Sequence, residues 1–204
     1  TSGSSYVSSS FNINPLWNAS ANRPQAVEFR FKTNGLPYNT ASISSQSLFE
    51  TDLNVKLILR YTGSGYTTSS FISSSADPVN PYYQYGILDF IPDPAFPSTS
   101  ASIYLPFYDG GWWSVLINKY VGNYTLYAKN KNYKGEDGNV IGFQSSSSVS
   151  ADPSSWSNST NAYFGISSSL SGKIFTGSLQ EIRYYSTLIS ESNFDAYVMN
   201  PYSI

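Results

Sequence analysis

Apolar and polar positions alternate with a period of two over several short segments of the chain. Between Ala26 and Lys32, the apolar residues Val27, Phe29 and Phe31 alternate with charged neighbours. Successive side chains of a β-strand point to opposite faces of the sheet. The pattern therefore predicts a half-buried strand with these three side chains in the core.

The same pattern recurs from Asn54 to Tyr61, where we expect Val55, Leu57 and Leu59 to face inward. Further strand-like segments, separated by Ser, Gly, Asn and Pro, are Tyr83–Ile91, Trp113–Ile117, Asn123–Lys129, Val140–Phe143, Ala162–Ile166 and Leu179–Tyr185. A turn around Gly122-Asn123 is expected to join two of them as neighbours. Many short strands with regular turn signals predict an all-β sandwich or barrel.

One helix is predicted near the C-terminus. Ser190 is a favourable N-cap, Glu191 suits the first turn, and the apolar spacing is that of one helical face. That face carries Phe194, Tyr197 and Val198. The dipeptide Asn200-Pro201 is expected to end the helix.

The chain shows no internal repeat and no linker long enough to divide it. We expect a single domain over residues 1–204, in which 1–25 form an N-terminal arm and a first edge strand. The serine runs at 8–10, 73–75 and 145–148 are interpreted as loops between strands. The N-terminus lacks an initiator Met and a signal peptide, so we expect a processed protein or a domain of a larger parent.

The composition favours a surface rich in hydroxyl and amide groups. Aromatic residues make up 17% of the chain and charged residues only 12%. Such a balance is common in secreted, cell-surface and virion-surface β-proteins, and we therefore expect an extracellular or virion-surface location. The high aromatic content argues against disorder.

Several function classes are excluded or disfavoured by what the chain lacks. With no Cys and no His, it has neither disulfides nor Ser–His or Cys–His nucleophiles, and the usual zinc ligands are missing. A formal net charge of -2 argues against a nucleic-acid partner. No apolar run approaches the ~20 residues that span a bilayer, so membrane insertion is not expected.

The C-terminal third contains three consecutive motifs, at Tyr163–Ile166, at Phe175–Tyr185 with its Gln-Glu-Ile-Arg-Tyr-Tyr run, and at Leu188–Phe194. Together they resemble the closing strands of laminin G-like and concanavalin A-like domains. Upstream, Trp112–Val115 and Tyr124–Tyr127 are similar to the central strand pair of that family. The resemblance implies a two-sheet antiparallel jelly-roll sandwich with one short C-terminal helix.

The resemblance predicts the fold more closely than the function, because the same sandwich occurs in lectins, adhesion modules, glycosidases and virion proteins. The composition, rich in Asn, Ser and Tyr, is similar to that of such domains in large viruses and phages. Glycosidases of this fold carry acids at alternate positions of one strand, and retaining chemistry needs carboxylates ~5 Å apart. Only Glu50 and Asp52 have that spacing here, and we interpret them as a solvated strand end rather than an active-site pair.

Laminin G-like domains often hold one calcium ion at a loop rim, commonly through an Asp. Asp109 and Asp137 lie in glycine-containing loops that could turn backbone carbonyls towards Ca²⁺. Asp-Gly is also a standard turn dipeptide, so a calcium site and a plain turn both remain open.

Sugar-binding surfaces combine an aromatic ring with planar polar side chains. The stretch from Tyr108 to Trp113 supplies both, and the candidate ligand-binding residues are Tyr108, Asp109, Trp112, Trp113 and Asn118. Two consecutive strand residues point to opposite faces, so one of the two tryptophans should be buried in the core and the other exposed. The alternative is that these aromatics pack the sheets or a subunit interface.

Three functions stay open at this level. The first is a non-catalytic carbohydrate-recognition or adhesion module that binds a glycan or a protein at a cell or virion surface. The second is a structural or assembly domain, with a homo-oligomer or a larger parent protein. The third, a glycan hydrolase or lyase, is disfavoured by the missing His and the missing acidic strand motif.

Overall fold

The computed structural model describes residues 11–12, 25–34, 45–61, 85–132, 140–159, 161–165 and 174–200. These ranges contain eleven strands and two helices. In chain order they are β1 (Phe11–Asn12), β2 (Gln25–Thr33), β3 (Gln46–Thr51), β4 (Lys56–Tyr61), β5 (Gly86–Ile91), β6 (Ala101–Leu105), β7 (Trp113–Tyr120), β8 (Asn123–Asn132), β9 (Val140–Ser150), α1 (Ser154–Asn158), β10 (Asn161–Phe164), β11 (Gly177–Tyr185) and α2 (Glu191–Met199).

The strands form two antiparallel sheets. One has six strands in the order β1-β10-β3-β4-β5-β6, and the other has five in the order β11-β2-β7-β8-β9. Strands β7 and β8 pair as the sequence predicted, across a turn at Val121 and Gly122. The predicted all-β, two-sheet antiparallel jelly-roll sandwich is confirmed. Among the described residues, neither helix is long and apolar enough to cross a membrane.

The core lies between the two sheets and is rich in aromatic rings. Phe29 on β2 meets Phe164 on β10 edge-on, with ring centroids 5.5 Å apart. Phe31 packs on Phe107 at 5.8 Å, which ties the second sheet to the loop after β6. The inward positions predicted from the period-two pattern are confirmed, since all are at most 2% exposed: Val27, Phe29, Phe31, Val55, Leu57 and Leu59.

Helix α2 covers part of the outer face of the five-stranded sheet. Phe194 and Val198 are buried in a second apolar cluster with Ala26, Leu116 and Ile189. The predicted N-cap is confirmed, because the Ser190 hydroxyl accepts a hydrogen bond from the backbone N–H of Asn193 at 3.2 Å.

A buried lysine fastens this helix to the sheet. The Nζ of Lys129 donates to Glu191 Oε1 at 2.7 Å and to Asp195 Oδ1 at 2.6 Å. Burial alone would lower the pKa of Lys129, but these two carboxylates outweigh it and raise the pKa. The ammonium group is therefore charged and paired at the junction of β8 and α2.

The expectation of a half-buried β2 was wrong, because both faces of this strand are covered. Glu28 and Arg30, on its outer face, are buried beside β11. Only Lys32 is half-buried within the strand.

The loop interpretation of serines 145–148 was also wrong, because they lie within β9. This run alternates between half-buried and exposed positions along the edge of the sheet, where β8 supplies the pairing partners. The Ser147 hydroxyl accepts a hydrogen bond from the backbone N–H of Ser102 on β6 at 3.2 Å. Strands β3 and β6 and helix α1 were not predicted.

Candidate functional site

Four charged side chains lie together on β2 and its edge neighbour β11. They are Glu28, Arg30, Glu181 and Arg183, called the charge cluster below. Antiparallel pairing places Arg183 opposite Glu28. The Nη1 of Arg183 lies 3.3 Å from each carboxylate oxygen of Glu28. The Nη1 of Arg30 lies 3.9 Å from Glu181 Oε2, which forms a second ion pair.

Burial dominates the electrostatics of Glu28. Its side chain is 2% exposed, and desolvation raises the pKa of this carboxyl above its ordinary value. The hydroxyl of Tyr185, which donates to Glu28 Oε2 at 2.8 Å, and the Arg183 guanidinium both lower the pKa in part. Tyr185 and Arg183 thus offset part, but not all, of the cost of burying this carboxylate.

Two polar atoms of the charge cluster are buried without a hydrogen-bond partner among the described residues. They are the Nε of Arg30 and the Oε1 of Glu181. A buried donor or acceptor left unsatisfied costs about 1–3 kcal/mol. These atoms are one donor and one acceptor, on side chains that already form an ion pair.

The backbone at Glu181 is unusual as well. Its φ is 56°, in the left-handed region that favours glycine, and the register of β11 with β2 shifts between Gln180 and Arg183. This β-bulge directs the Glu181 carboxylate towards Arg30. Such conformations cost about 1–3 kcal/mol and are enriched at ligand-binding sites.

A tryptophan lies over the cluster. The guanidinium carbon of Arg30 is 5.5 Å from the centroid of the Trp112 ring, which is cation–π distance. Trp112 is half-buried, unlike the fully buried Trp113. The site therefore combines a partly exposed aromatic residue with hydrogen-bonding side chains.

The other aromatic candidates are core residues in the structure. Trp113 is fully buried, and its ring packs edge-on against Phe107 with centroids 4.7 Å apart. Tyr108 is 3% exposed and packs edge-on against Tyr61. Because both side chains are buried, they offer no surface to a ligand. We therefore reassign them from ligand-binding candidates to core residues.

The polar candidates Asp109 and Asn118 satisfy groups of the protein itself. Asp109 Oδ1 accepts from the backbone N–H of Gly111 at 2.8 Å and from Trp113 Nε1 at 3.1 Å. Asn118 donates to the carbonyl of Ile189 at 2.8 Å and accepts from the Ile189 N–H at 3.1 Å. Asp109 thus holds the loop before Trp112, and Asn118 holds the loop before α2.

Comparison with known proteins finds similarity at the level of the fold. No protein-family model and no curated protein matches the sequence. The chain is similar to tailspike protein 2 of bacteriophage CBA120, with a TM-score of 0.52 and 11% identity over 87% of this chain and 24% of that one. It is also similar to the CBM40 domain of the Ruminococcus gnavus IT-sialidase, with a TM-score of 0.50 and 12% identity over 95% of both chains. The fold is the concanavalin A-like jelly roll.

Mouse laminin α1 domains LG4-5 also match, with a TM-score of 0.45 and 12% identity over 89% of this chain. The chain spans 39% of that laminin chain.

Of the two candidate calcium ligands, Asp109 and Asp137, the structure describes only Asp109. Both carboxylate oxygens of Asp109 are engaged, since Oδ2 lies 3.5 Å from the Asn130 amide nitrogen. Within the described ranges, no group of three metal-ligating side chains occurs. Asp137 lies outside the described residues. Asp109 therefore stabilises the turn before Trp112 through both of its carboxylate oxygens.

The pair Glu50 and Asp52 is not a solvated strand end, because Glu50 is buried. Its Oε1 lies 3.5 Å from the Nζ of Lys56. Asp52 Oδ2 accepts from the backbone N–H of Asn161 at 3.2 Å and from its amide at 3.3 Å. Both acids contribute to joining β3 to its neighbours.

Sequence reasoning missed Arg30 and Glu181, although a signal was present. Both β2 and β11 contain a Glu-x-Arg tripeptide, at Glu28–Arg30 and Glu181–Arg183. When two such tripeptides pair in antiparallel fashion, each Glu approaches an Arg of the other strand. The pairing of two strands separated by about 150 residues was the missing information.

Proposed function

We propose that the protein is a non-catalytic carbohydrate-binding module that acts outside the cell or on a virion surface. The observation that carries this proposal is the half-buried Trp112 ring beside the charge cluster. An indole face stacks on the C–H face of a sugar ring, and carboxylate and guanidinium groups hydrogen-bond its hydroxyls. The CBM40 neighbour, of the same fold, is bound to α2,3-sialyllactose, which supports sugar binding as a use of this scaffold.

The engagement of Glu50 and Asp52 supports a non-catalytic role. A glycosidase needs two carboxyl groups that reach the scissile bond from a groove. Glu50 is buried against Lys56, and Asp52 bonds Asn161. Both acids are therefore bonded to other groups of the protein, which supports the proposal that they are structural.

A glycan array tests the proposal. We expect the folded wild-type protein to bind a defined class of sugars and a Trp112→Ala variant to lose at least about 90% of the signal, because stacking is removed. The matched control is Phe96→Ala, which removes another exposed aromatic, 64% exposed, from the loop after β5. This control should bind as the wild type does.

Two outcomes would contradict the proposal. One is a blank array from folded protein, which would favour the structural or assembly role instead. The other is equal binding by the wild type and Trp112→Ala. Circular dichroism of each variant establishes that a lost signal is not a lost fold.

A further inference from the structure

We propose that Arg30, Glu181 and Trp112 form the primary subsite, and that it takes a neutral sugar through two neighbouring hydroxyl groups. This inference rests on the proposed function and names the ligand class at the same surface. Its basis is the pairing of one buried unsatisfied donor with one buried unsatisfied acceptor in the charge cluster.

The two unsatisfied atoms match the hydrogen-bonding capacity of hydroxyl groups. The Nε–H of Arg30 can only donate, and the Oε1 of Glu181 can only accept. A hydroxyl both donates and accepts, so one hydroxyl can accept from Arg30 while its neighbour donates to Glu181. The Nη1 of Arg30 and the Oε2 of Glu181 are 3.9 Å apart, so the two side chains are close enough for neighbouring hydroxyl groups of one sugar to contact both.

Access to the Arg30 Nε requires the Trp112 ring to move, because it lies over the Arg30 guanidinium. Asp109 holds the Gly111 N–H and the Trp113 indole in place on either side of Trp112. The movement that the proposal requires is therefore a rotation of the Trp112 side chain alone, from Arg30 onto the sugar.

The charge balance of the subsite favours a neutral sugar over an acidic one. Arg30 and Arg183 are already paired with Glu181 and Glu28, so neither arginine of the charge cluster is left over to neutralise a ligand carboxylate. Lys32 follows Arg30 on the same face of β2 and is half-buried. An acidic sugar is therefore included as a probe, to test whether this lysine recruits an anion.

Isothermal titration calorimetry tests the subsite with methyl α-galactopyranoside, methyl α-mannopyranoside, methyl α-glucopyranoside and N-acetylneuraminic acid. We expect at least one neutral glycoside to bind the wild type more tightly than N-acetylneuraminic acid does. Arg30→Lys, which removes the Nε donor but keeps the charge, and Glu181→Gln, which keeps the shape, should each weaken that binding about tenfold. The control is Arg60→Lys on the opposite sheet, where Arg60 pairs with Asp89, and its affinity should equal that of the wild type.

The outcomes separate the subsite from the proposed function. Unchanged affinity in Arg30→Lys and Glu181→Gln, with binding lost in Trp112→Ala, would overturn the subsite and leave the carbohydrate-binding function standing. Preferential binding of N-acetylneuraminic acid would overturn the neutral ligand class. If none of the four sugars binds and the glycan array is also blank, both proposals fail.

Discussion

At the scale of single residues, the decisive contrast is between Trp112 and Trp113. Strand alternation predicted that one would be buried and the other exposed, but not which one. The pairing of Phe31 with Trp113 decides it, because it places Trp113 on the inner face of the sheet with Phe31. Register depends on strand partners that are distant in the sequence, so the local pattern could not show which of the two tryptophans is buried.

Asp109 and Asn118 illustrate a second limit. Carboxylates and amides are the residue types that bind sugars and calcium, and they are also the types that cap turns and satisfy loop backbones. The structure engages both side chains with loop N–H or C=O groups. Only knowledge of where each loop passes could separate the two roles.

Lys119 provides a stability prediction at the same scale. Its side chain is fully buried at the end of β7, with Nζ 3.4 Å from the Ser157 hydroxyl, and burial lowers its pKa. In the unfolded chain the pKa of this lysine has its ordinary value of about 10.4. The unfolded chain therefore binds the proton more tightly than the folded protein does. Stability should rise with pH in the interval between the folded and unfolded pKa values.

We expect Lys119→Met to be more stable than the wild type at pH 7, with the advantage shrinking as the pH rises towards 10. Urea denaturation of both proteins at pH 7, 8.5 and 10 measures this change. A stability difference that stays constant with pH would contradict the prediction.

At the scale of elements, strands with alternating apolar residues were predictable and the polar ones were not. Strands β4 and β8 carry a period of two that matches their burial over most of their length, whereas β2 and β7 are buried on both faces. Strand β9 contains four consecutive serines, and its conformation is set by pairing with β8 rather than by its own propensity. Strand β6 is five residues long, too short for its pattern to stand out.

Helix α2 was predicted from its N-cap and the spacing of its apolar residues, but its ion pairs with β8 were not predicted. Lys129 donates to both Glu191 and Asp195 from a buried position on β8. Replacing it by Met should lower the free energy of unfolding by about 2 kcal/mol, because two charge-assisted hydrogen bonds are lost. Hydrogen–deuterium exchange should show α2 losing protection more than β2.

The control for this variant is Lys32→Met, which removes a half-buried lysine from the outer face of the same sheet. It should leave the protection of α2 unchanged. Equal protection of α2 in the wild type and in Lys129→Met would show that apolar packing of Phe194 and Val198 alone holds the helix.

At the scale of the whole molecule, the described core and the proposed binding site occupy different parts of the sandwich. The aromatic core lies between the two sheets, and α2 covers part of the outer face of the five-stranded sheet. The charge cluster lies on the outer face of the same sheet, on β2 and the edge strand β11. It combines two buried unsatisfied polar atoms with a positive φ at Glu181, and such local departures from regular structure are common at binding sites.

The most direct test of this account is the NMR signal of the Trp112 indole N–H, assigned by its disappearance in Trp112→Phe, during titration with the three methyl glycosides. We predict that this signal shifts on binding. The indole signals of Trp113 and Trp156 should stay, because their N–H groups donate within the protein to Asp109 at 3.1 Å and Gln25 at 2.8 Å. A bound glycoside that leaves the Trp112 signal in place would contradict the account.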